Sequence, residues 1–250
     1  MIKRQTIKKQ SIYGNEPFKY NNELKIWKTL PDLILVGIFL LYLTISMLFL
    51  ATYSYYTVQH TSMQPLLNNY TSEELQAGVS DGVYVNTQAE AQVGDVIVIK
   101  NEFDVNVDTV VKRLIAVGGD KIAIRKIVLP NYSTQYDVLR IPNGNTTPYI
   151  LVENYVGEWL RVSGMEKVYN NFNSYLESET NKETLNDVTY LVLEDDEIFY
   201  LGDNRGSSRD CSEYGPALKE NIIGRVDIIV PRQQNMLFHI FEYLLGLKNI

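Results

Sequence analysis

Four segments of the sequence are candidates for hydrolytic chemistry, and the first contains Ser62. It lies in the segment 61–65, Thr-Ser-Met-Gln-Pro, in which Pro65 has a fixed φ and biases the residue before it toward an extended conformation. These restrictions predict a constrained turn that presents the serine hydroxyl. An ordinary serine–threonine turn has the same pattern, and for this segment taken alone the structural interpretation is favoured.

A candidate base is Lys112, which lies within the β-rich run 109–117. Successive side chains of a strand point to opposite faces, so one of the adjacent cations Lys112 and Arg113 is expected to face a packed side. Burial disfavours the charged form of a lysine and lowers its pKa, and a neutral amine is a competent general base. The alternative is an edge strand from which both side chains reach solvent, which is the commoner situation for such a pair.

A third segment, 202–210, is dense in hydroxyl, carboxylate and guanidinium groups and directly follows a strand-like run. It reads Gly-Asp-Asn-Arg-Gly-Ser-Ser-Arg-Asp, which predicts either a solvated loop or a polar network that orients a base and pairs buried charges. Gly94-Asp95 opens another strand-like run and is a weak signal by itself.

Composition excludes several other kinds of site. The single cysteine, Cys211, rules out an intramolecular disulfide and a multi-cysteine zinc site, and the two histidines, His60 and His239, leave little room for a histidine-rich metal site. We therefore expect no metal and no other cofactor. The formal net charge of −7 argues against nucleic acid as a partner.

Four segments, in this order and after a single apolar run, resemble the motifs of the bacterial type I signal peptidase family. They are Ser62-Met63-x-Pro65, Gly94 through Val98, Lys112 through Ile115 with Gly118-Gly119-Asp120, and Gly202 through Arg205 with Ser208 and Asp210. The resemblance covers residues 30–125 and 197–230 and is weak between them. Each segment is an unspecific pattern, but the ordered set is specific.

The resemblance implies a serine endopeptidase with a Ser–Lys dyad. Ser62 would be the nucleophile and Lys112 the general base, and the backbone N–H of Ser62 would supply one oxyanion donor. Ser208 would form a hydrogen bond with Lys112 and orient it. Structural support would come from the other polar residues of the motifs: Arg113 paired with Asp203, Asp210 ordering the loop, Asn204 and Arg205.

The same resemblance implies that the partners are signal peptides of secreted pre-proteins, cut after small-x-small sites. The substrate would add as an extended strand beside the segments leading to Ser62 and Lys112. The alternative is a catalytically weak or silent homologue that acts as a chaperone in pilus or surface-protein assembly, but the presence of both dyad residues favours the enzyme. The ER-type relatives carry histidine in place of the lysine, so Lys112 argues against that group. The self-cleaving repressor relatives carry a DNA-binding domain, and the apolar run and the acidic body argue against that group.

Three positions depart from the family pattern. His60 stands where serine or glycine is usual, and we interpret it as a surface residue, with an oxyanion donor as the alternative. After Asp210 the sequence has Cys211 and Ser212, so the arginine that would pair with Asp210 is missing, and Cys211 is expected to be a neutral filler. Leu66 stands where threonine is usual.

A membrane anchor precedes the motifs. Residues 33–52 include no charge, and a helix of this length spans roughly 30 Å, the thickness of the hydrocarbon core of a bilayer. Tyrosines follow at once, as in an aromatic belt, so we predict an anchor over 33–54. A cleaved signal peptide and a buried core helix are the alternatives.

Charge predicts the orientation of this anchor. Residues 1–30 hold seven basic and two acidic side chains, whereas residues 33–250 hold 16 basic and 27 acidic ones. Basic flanks stay on the cytoplasmic side, so residues 1–32 are predicted to be a cytoplasmic tail at the bacterial plasma membrane and the body to be extracytoplasmic. At most about 33 Å of extended chain separates Thr52 from Ser62, which ties the nucleophile close to the outer surface.

The rest of the chain predicts a mainly β, signal-peptidase-like ectodomain. Strand-like runs occupy 82–85, 95–100, 109–117, 121–129, 190–194, 197–201 and 222–230, and 71–78 has a helical signal. Gly118-Gly119-Asp120 and Asp195-Asp196 predict two hairpins. We predict a catalytic core of 55–130 and 190–232, an inserted cap of mixed strands and loops over 131–189, and a C-terminal amphipathic segment over 233–250.

Overall fold

The computed structural model describes residues 22–103, 107–153, 156 and 158–233, with the backbone alone at 22–28, 158–163 and 233. Most of the predicted tail (1–32) and nearly all of the predicted C-terminal segment (233–250) lie outside the described residues. The helices are α1 (Asn22–Thr52), α2 (Ser72–Gln76), α3 (Glu158–Ser178) and α4 (Cys211–Tyr214). The strands are β1 (Tyr53–Thr57), β2 (Gly82–Asn86), β3 (Val96–Lys100), β4 (Thr109–Val117), β5 (Lys121–Val128), β6 (Thr134–Ile141), β7 (Tyr149–Ile150), β8 (Lys182–Leu185), β9 (Val188–Val192), β10 (Glu197–Leu201), β11 (Ala217–Leu218) and β12 (Ile222–Val230).

Helix α1 is the apolar element that the sequence predicts. Its part Thr29–Thr52 is long and apolar enough to cross a membrane, and large apolar side chains are exposed along it. The chain divides into two compact units, one ending at Ala51 and one beginning at Thr52. The helix stops two residues short of the predicted end of the anchor, because Tyr53 and Ser54 pair with β2 as part of β1.

Two antiparallel sheets form the body of the described chain. The first has the strand order β1-β2-β12-β3-β4-β10-β11 and the second has the order β7-β6-β5-β9-β8. The mainly β fold class predicted from the sequence is confirmed. Three predicted runs match strands to the residue, namely those of β4, β10 and β12. The helical signal at 71–78 is also confirmed, since α2 begins with a capping box formed by Thr71 and Glu74.

Both predicted hairpins are wrong. Strands β4 and β5, on either side of Gly118-Gly119-Asp120, belong to different sheets, and so do β9 and β10 around Asp195-Asp196. The chain therefore passes from one sheet to the other at each place. Turn residues indicate a change of direction, but they do not reveal whether the strand after the turn pairs with the strand before it.

The two passages between the sheets run side by side. The Gly119 N–H donates to the Leu193 carbonyl, and the Leu193 N–H donates to the Asp120 carbonyl, each at 3.0 Å. A Cβ atom on Gly118 would lie 2.2 Å from the Asp195 carbonyl oxygen, so only glycine allows the chains to approach this closely. These contacts join the second sheet to the end of β4, the strand that carries Lys112.

The predicted insertion, 131–189, contains the 21-residue helix α3, whereas the sequence interpretation expected strands and loops there. Val168, Phe172 and Leu176 recur every four residues and are buried in the main core, where Phe172 packs edge-on against Phe199. Polar residues between them weaken the apolar periodicity, which explains why the pattern was missed. The second sheet also begins earlier than the predicted insertion, because it includes β5.

The first sheet is covered on both faces at β3 and β4. Neighbouring residues of β3 belong to different hydrophobic clusters. Ile97 lies in the larger cluster, with Leu114 and Phe172, and Val98 lies in the smaller cluster, with Met63 and Val85. On the adjacent strand β4, Lys112 and Arg113 are therefore both buried, with 3% and 8% of their surfaces exposed. The sequence predicted burial of one of these cations, and the structure buries the two of them.

Candidate active site

Ser62 begins a turn over residues 62–66 that follows β1. Met63 and Leu67 are fully buried in the smaller core cluster, and the Leu67 N–H donates to the Met63 carbonyl at 3.0 Å. The Gln64–Pro65 peptide bond is cis. Apolar side chains thus hold the turn to the first sheet, while the Ser62 side chain stays half-buried at its surface.

Asn68 fixes the segment that leads to Ser62, and sequence reasoning missed it. Its side-chain nitrogen donates to the carbonyls of Val58 and His60, at 2.9 and 2.8 Å. Its side-chain oxygen accepts from the Asp81 N–H at 2.7 Å, and the Asp81 carboxylate accepts from the Asn68 N–H at 2.7 Å. Both residues are buried. Nothing in a single asparagine of a polar run signals such long-range backbone contacts.

The structure brings the two predicted dyad residues together. Lys112 Nζ lies 2.8 Å from Ser62 Oγ and donates a hydrogen bond to it. Burial lowers the pKa of Lys112 from its ordinary value of 10.5 to about 8, and the Asp210 and Asp203 carboxylates oppose this shift only in part. The distance is suited to proton transfer between hydroxyl and amine, and a pKa near 8 leaves a usable neutral fraction at neutral pH.

Arg113 lies on the opposite face of β4 and forms the predicted contact with Asp203. Its Nε donates to Asp203 Oδ1 at 2.8 Å, and a terminal nitrogen donates to Oδ2 at 2.7 Å. The other terminal nitrogen donates to the Gly94 carbonyl at 2.7 Å. The Asp203 side chain is fully buried, so this bidentate pair compensates each of the two charges.

Asn204 connects the polar loop to the serine turn. Its backbone N–H donates to the Ser62 carbonyl at 3.0 Å, and its side-chain nitrogen donates to the Thr61 carbonyl at 3.1 Å. Asp210 closes the same loop, because its carboxylate accepts from the Gly202 N–H at 3.0 Å and from the Ser212 hydroxyl at 2.8 Å. Ser212 thus hydrogen-bonds the carboxylate for which the sequence left no arginine.

Ser208 does not make the predicted hydrogen bond with Lys112. Its hydroxyl is buried and has no hydrogen-bond partner within the part of the chain that the structure describes. The lysine ammonium is instead directed at Ser62, whereas the Ser208 hydroxyl lies against Gly202. A Cβ atom on Gly202 would lie 2.3 Å from Ser208 Oγ and 2.5 Å from the Ser62 carbonyl oxygen, so the three residues are closely packed.

Arg205 has a partner that the sequence did not reveal. Its guanidinium forms a bidentate pair with Glu153, one contact of which measures 3.0 Å, and Nε donates to the Gly202 carbonyl at 3.0 Å. Both side chains are buried. Glu153 comes from the region between β7 and α3, far from Arg205 in sequence, and no motif connects the two.

The residues that depart from the family pattern lie in different surroundings. His60 is exposed, with a φ of +65°. Cys211 is fully buried, its sulfur accepts from the Tyr200 N–H at 3.3 Å, and burial raises the pKa of its thiol, which keeps the thiol neutral. Leu66 is half-buried against the smaller core cluster.

A cleft of about 500 Å³ opens beside the dyad. Ser62 and Lys112 lie in its wall together with the chain segments 56–60 and 107–111. Within the described residues, β1 pairs only with β2, and the first half of β4 pairs only with β3. The cleft therefore lies between two strand edges. The described residues include no group of histidine, cysteine, aspartate and glutamate side chains that could hold a metal ion.

The family model for signal peptidases, peptidase S26, matches residues 30–231 of the chain. The chain belongs to this signal peptidase family. The resemblance seen in the sequence motifs is thereby confirmed, and the match extends over the region 126–196 where those motifs are weak. As a family member, the chain is a serine peptidase of the signal peptidase type, whose substrates carry signal peptides.

A crystal structure of a signal peptidase I from Enterococcus faecalis is also similar to this family member. It shares 18% sequence identity with the chain, the aligned part covers 55% of this chain and 97% of that one, and the TM-score is 0.31. A search of curated proteins found no match. The family match, rather than this structural likeness, decides the assignment.

Proposed function

We propose that this signal peptidase family member cleaves exported pre-proteins after small-x-small sites, with Ser62 as the nucleophile and Lys112 as the general base. The observation that carries the proposal is the 2.8 Å contact between Ser62 Oγ and Lys112 Nζ. Burial of the lysine, which lowers its pKa to about 8, supports the assignment of the base.

The proposed reaction begins at this contact. Neutral Lys112 takes the proton of the Ser62 hydroxyl as Oγ attacks the carbonyl carbon of the scissile peptide bond. The ammonium of Lys112 then gives a proton to the leaving amine, and the bond between carbonyl carbon and nitrogen breaks. Water hydrolyses the resulting ester, with Lys112 as base for the second time, and the Ser62 hydroxyl is restored. The Ser62 backbone N–H is proposed as one donor to the oxyanion.

The open edge of β4 supports binding of the substrate as an extended strand. The Leu114 N–H donates to the Asp95 carbonyl, so Leu114 makes its backbone hydrogen bonds toward β3. Successive residues of an antiparallel strand alternate in this respect, which turns the N–H and carbonyl groups of Val111 toward the cleft. A substrate backbone lying there gains hydrogen bonds whatever its sequence, and side-chain selection falls to the walls of the cleft.

The apolar helix supports a membrane-anchored arrangement. We propose that α1 spans the bacterial plasma membrane once, that the basic residues preceding it stay in the cytoplasm, and that the body from β1 onward is extracytoplasmic. The arrangement suits the substrate, because the cleavage site of a pre-protein lies just beyond its own apolar segment and emerges at the outer surface.

The test is cleavage of a pre-protein that carries an Ala-x-Ala site by the full-length protein in detergent. We expect wild type to cut at that site and both Ser62→Ala and Lys112→Met to lose activity by about 10⁴-fold or more. Lys100→Met is the matched control, because Lys100 lies exposed at the end of β3. Its activity should equal that of wild type.

Two outcomes would contradict the proposal. An active Ser62→Ala variant would exclude Ser62 as the nucleophile, and an active Lys112→Met variant would exclude Lys112 as the base. A wild-type protein that cuts nothing, but is required for assembly of a surface structure in the cell, would instead favour the chaperone function.

A further inference from the structure

Helix α3 lies directly against the polar loop that borders the dyad. A Cβ atom on Gly164 of α3 would lie 2.4 Å from the Gly206 backbone nitrogen and 2.6 Å from the Arg205 Cβ. A side chain at residue 164 would therefore collide with the loop, and glycine permits backbone contact between the two elements. Helix α3 of the inserted region thus packs directly against the loop 202–210.

Lys167 lies about one helical turn after Gly164, and its side chain binds backbone carbonyls of the same loop. Its Nζ donates to the Ser208 carbonyl at 2.8 Å and to the Gly206 carbonyl at 3.4 Å. The loop is closed on itself by the N–H groups of Ser207 and Ser208, which donate to the Asn204 carbonyl at 3.1 and 2.9 Å. One ammonium group therefore binds two carbonyls of this tight loop.

Residues of this loop contact the turn and the strand that carry the dyad. Asn204 donates to the Ser62 carbonyl at 3.0 Å, and the neighbouring Asp203 holds Arg113, which follows Lys112 on β4. Asn204 thus connects residues 207–208 to the serine turn, because its carbonyl accepts from their N–H groups and its own N–H donates to the Ser62 carbonyl. Hydrolytic rates depend steeply on such geometry, because the reacting atoms must lie within a few tenths of an ångström of their productive separation.

We propose that Lys167 is a positioning residue for peptide cleavage, which fixes the loop 202–210 from the inserted region and thereby holds Ser62 in reach of Lys112. The inserted region is then part of the catalytic apparatus as well as of the fold. This proposal rests on the proposed function, since it assumes the Ser62–Lys112 dyad.

Lys167 is better suited to a test than the other contacts between these elements. The Arg205–Glu153 pair is buried, and removal of either partner would leave an uncompensated charge in the core. Lys167 is only half-buried, so water can reach the carbonyls that it leaves behind. Substitution of this lysine should accordingly leave the fold intact.

The experiment compares Lys167→Met with Lys182→Met in the full-length protein in detergent. Lys182 is a matched control, because its Nζ also donates to two backbone carbonyls, those of Leu176 and Glu177 at the far end of α3. We expect kcat for an Ala-x-Ala pre-protein to fall about tenfold in Lys167→Met with KM little changed. Lys182→Met and Lys167→Arg should retain wild-type kcat, since arginine can donate to both loop carbonyls.

A second readout does not require activity. Amide hydrogen exchange at Ser207 and Ser208 should accelerate about tenfold in Lys167→Met and remain unchanged in Lys182→Met. If Ser62→Ala abolishes cleavage but Lys167→Met behaves like Lys182→Met in both measurements, the positioning role is wrong and the dyad stands. If Ser62→Ala remains active, the proposed function fails and the positioning role for the dyad fails with it, whatever the exchange data show about the contact of Lys167 with the loop.

Discussion

Strand β4 carries two buried cations, one on each face, and their contacts differ. On one face, Lys112 contacts the neutral hydroxyl of Ser62, and burial lowers its pKa to about 8. On the other face, the guanidinium of Arg113 is bound by both carboxylate oxygens of Asp203. The two residues are neighbours in sequence and are both almost inaccessible to solvent.

The difference shows how one strand can carry both a candidate base and a rigid ion pair. An arginine stays charged under all ordinary conditions, so its burial is tolerable only with an anionic partner, and the resulting pair is fixed in geometry. A lysine can lose its proton, so burial without a contacting carboxylate prepares it to act as a base. The partner in contact, rather than burial itself, decides which role a buried cation has.

The largest effect on the free energy of unfolding is expected when the charge of Arg113 is left without its anionic partner. Asp203→Asn keeps the size of the side chain but removes the charge that pairs with Arg113, and it should lower the free energy of unfolding by about 3–5 kcal/mol. Denaturant unfolding of the full-length protein in detergent measures this loss. The control is Glu183→Gln, whose partner Lys121 is much more exposed, and which should cost at most about 1 kcal/mol.

Equal losses in Asp203→Asn and Glu183→Gln would contradict this account of the arginine side. They would mean that the buried pair contributes no more than a surface ion pair, and that Arg113 finds other compensation when Asp203 is neutral.

The lysine side predicts how activity and stability depend on pH. As the proposed base, Lys112 accepts the Ser62 proton only in its neutral form, so kcat/KM should rise about tenfold per pH unit below about pH 8 and level off above it. The folded pKa lies below the ordinary value of 10.5, so between these values the unfolded state binds more protons. The free energy of unfolding contributed by this group should therefore increase with pH across that window, by about 3 kcal/mol at most.

Activity is measured by initial rates at several pH values, and stability by denaturant unfolding of wild type and Lys112→Met side by side. The difference between the two unfolding curves isolates the lysine from other groups that titrate in this range. A difference that does not change between pH 8 and pH 10 would show that Lys112 has an ordinary pKa in the folded protein.

The smallest effect on the free energy of unfolding is expected for substitution of Ser208. Its buried hydroxyl has no hydrogen-bond partner among the described residues, so Ser208→Ala should change the free energy of unfolding by less than about 1 kcal/mol. Ser212→Ala is the matched variant, since it removes a hydroxyl that donates to the buried Asp210 at 2.8 Å, and it should cost about 1–3 kcal/mol. A larger loss in Ser208→Ala than in Ser212→Ala would restore the predicted bond between Ser208 and Lys112.

The parts of the fold that sequence predicted well are those with strong local patterns. The uncharged run of α1, the alternating or apolar runs of β4, β10 and β12, and the capping box of α2 each depend on neighbouring residues only. Helix α3 and the passages between the sheets were missed. The helix has a dilute apolar face, and the pairing of strands across a turn depends on residues distant in the sequence.

The candidate site divides in the same manner. The resemblance assigned Ser62, Lys112 and the contact of Arg113 with Asp203, and the structure brings these residues together. It also assigned to Ser208 a bond that the structure does not contain. Sequence reasoning did not identify Asn68, Glu153 and Lys167. These residues contact backbone carbonyls or a partner far along the chain, and no spacing in the sequence predicts such contacts.

The sequence by itself determined the apolar helix and most strands of the first sheet, because each depends on residue type and near neighbours. The ordered motifs, through their resemblance to a family, also indicated Ser62 and Lys112 as the candidate nucleophile and base. Only the tertiary structure decided that both faces of β4 are covered, which buries Lys112 and Arg113 alike. Tertiary structure also decided that the lysine meets a hydroxyl and the arginine meets a carboxylate. These outcomes depend on which surfaces pack together, and packing joins residues that the sequence keeps far apart.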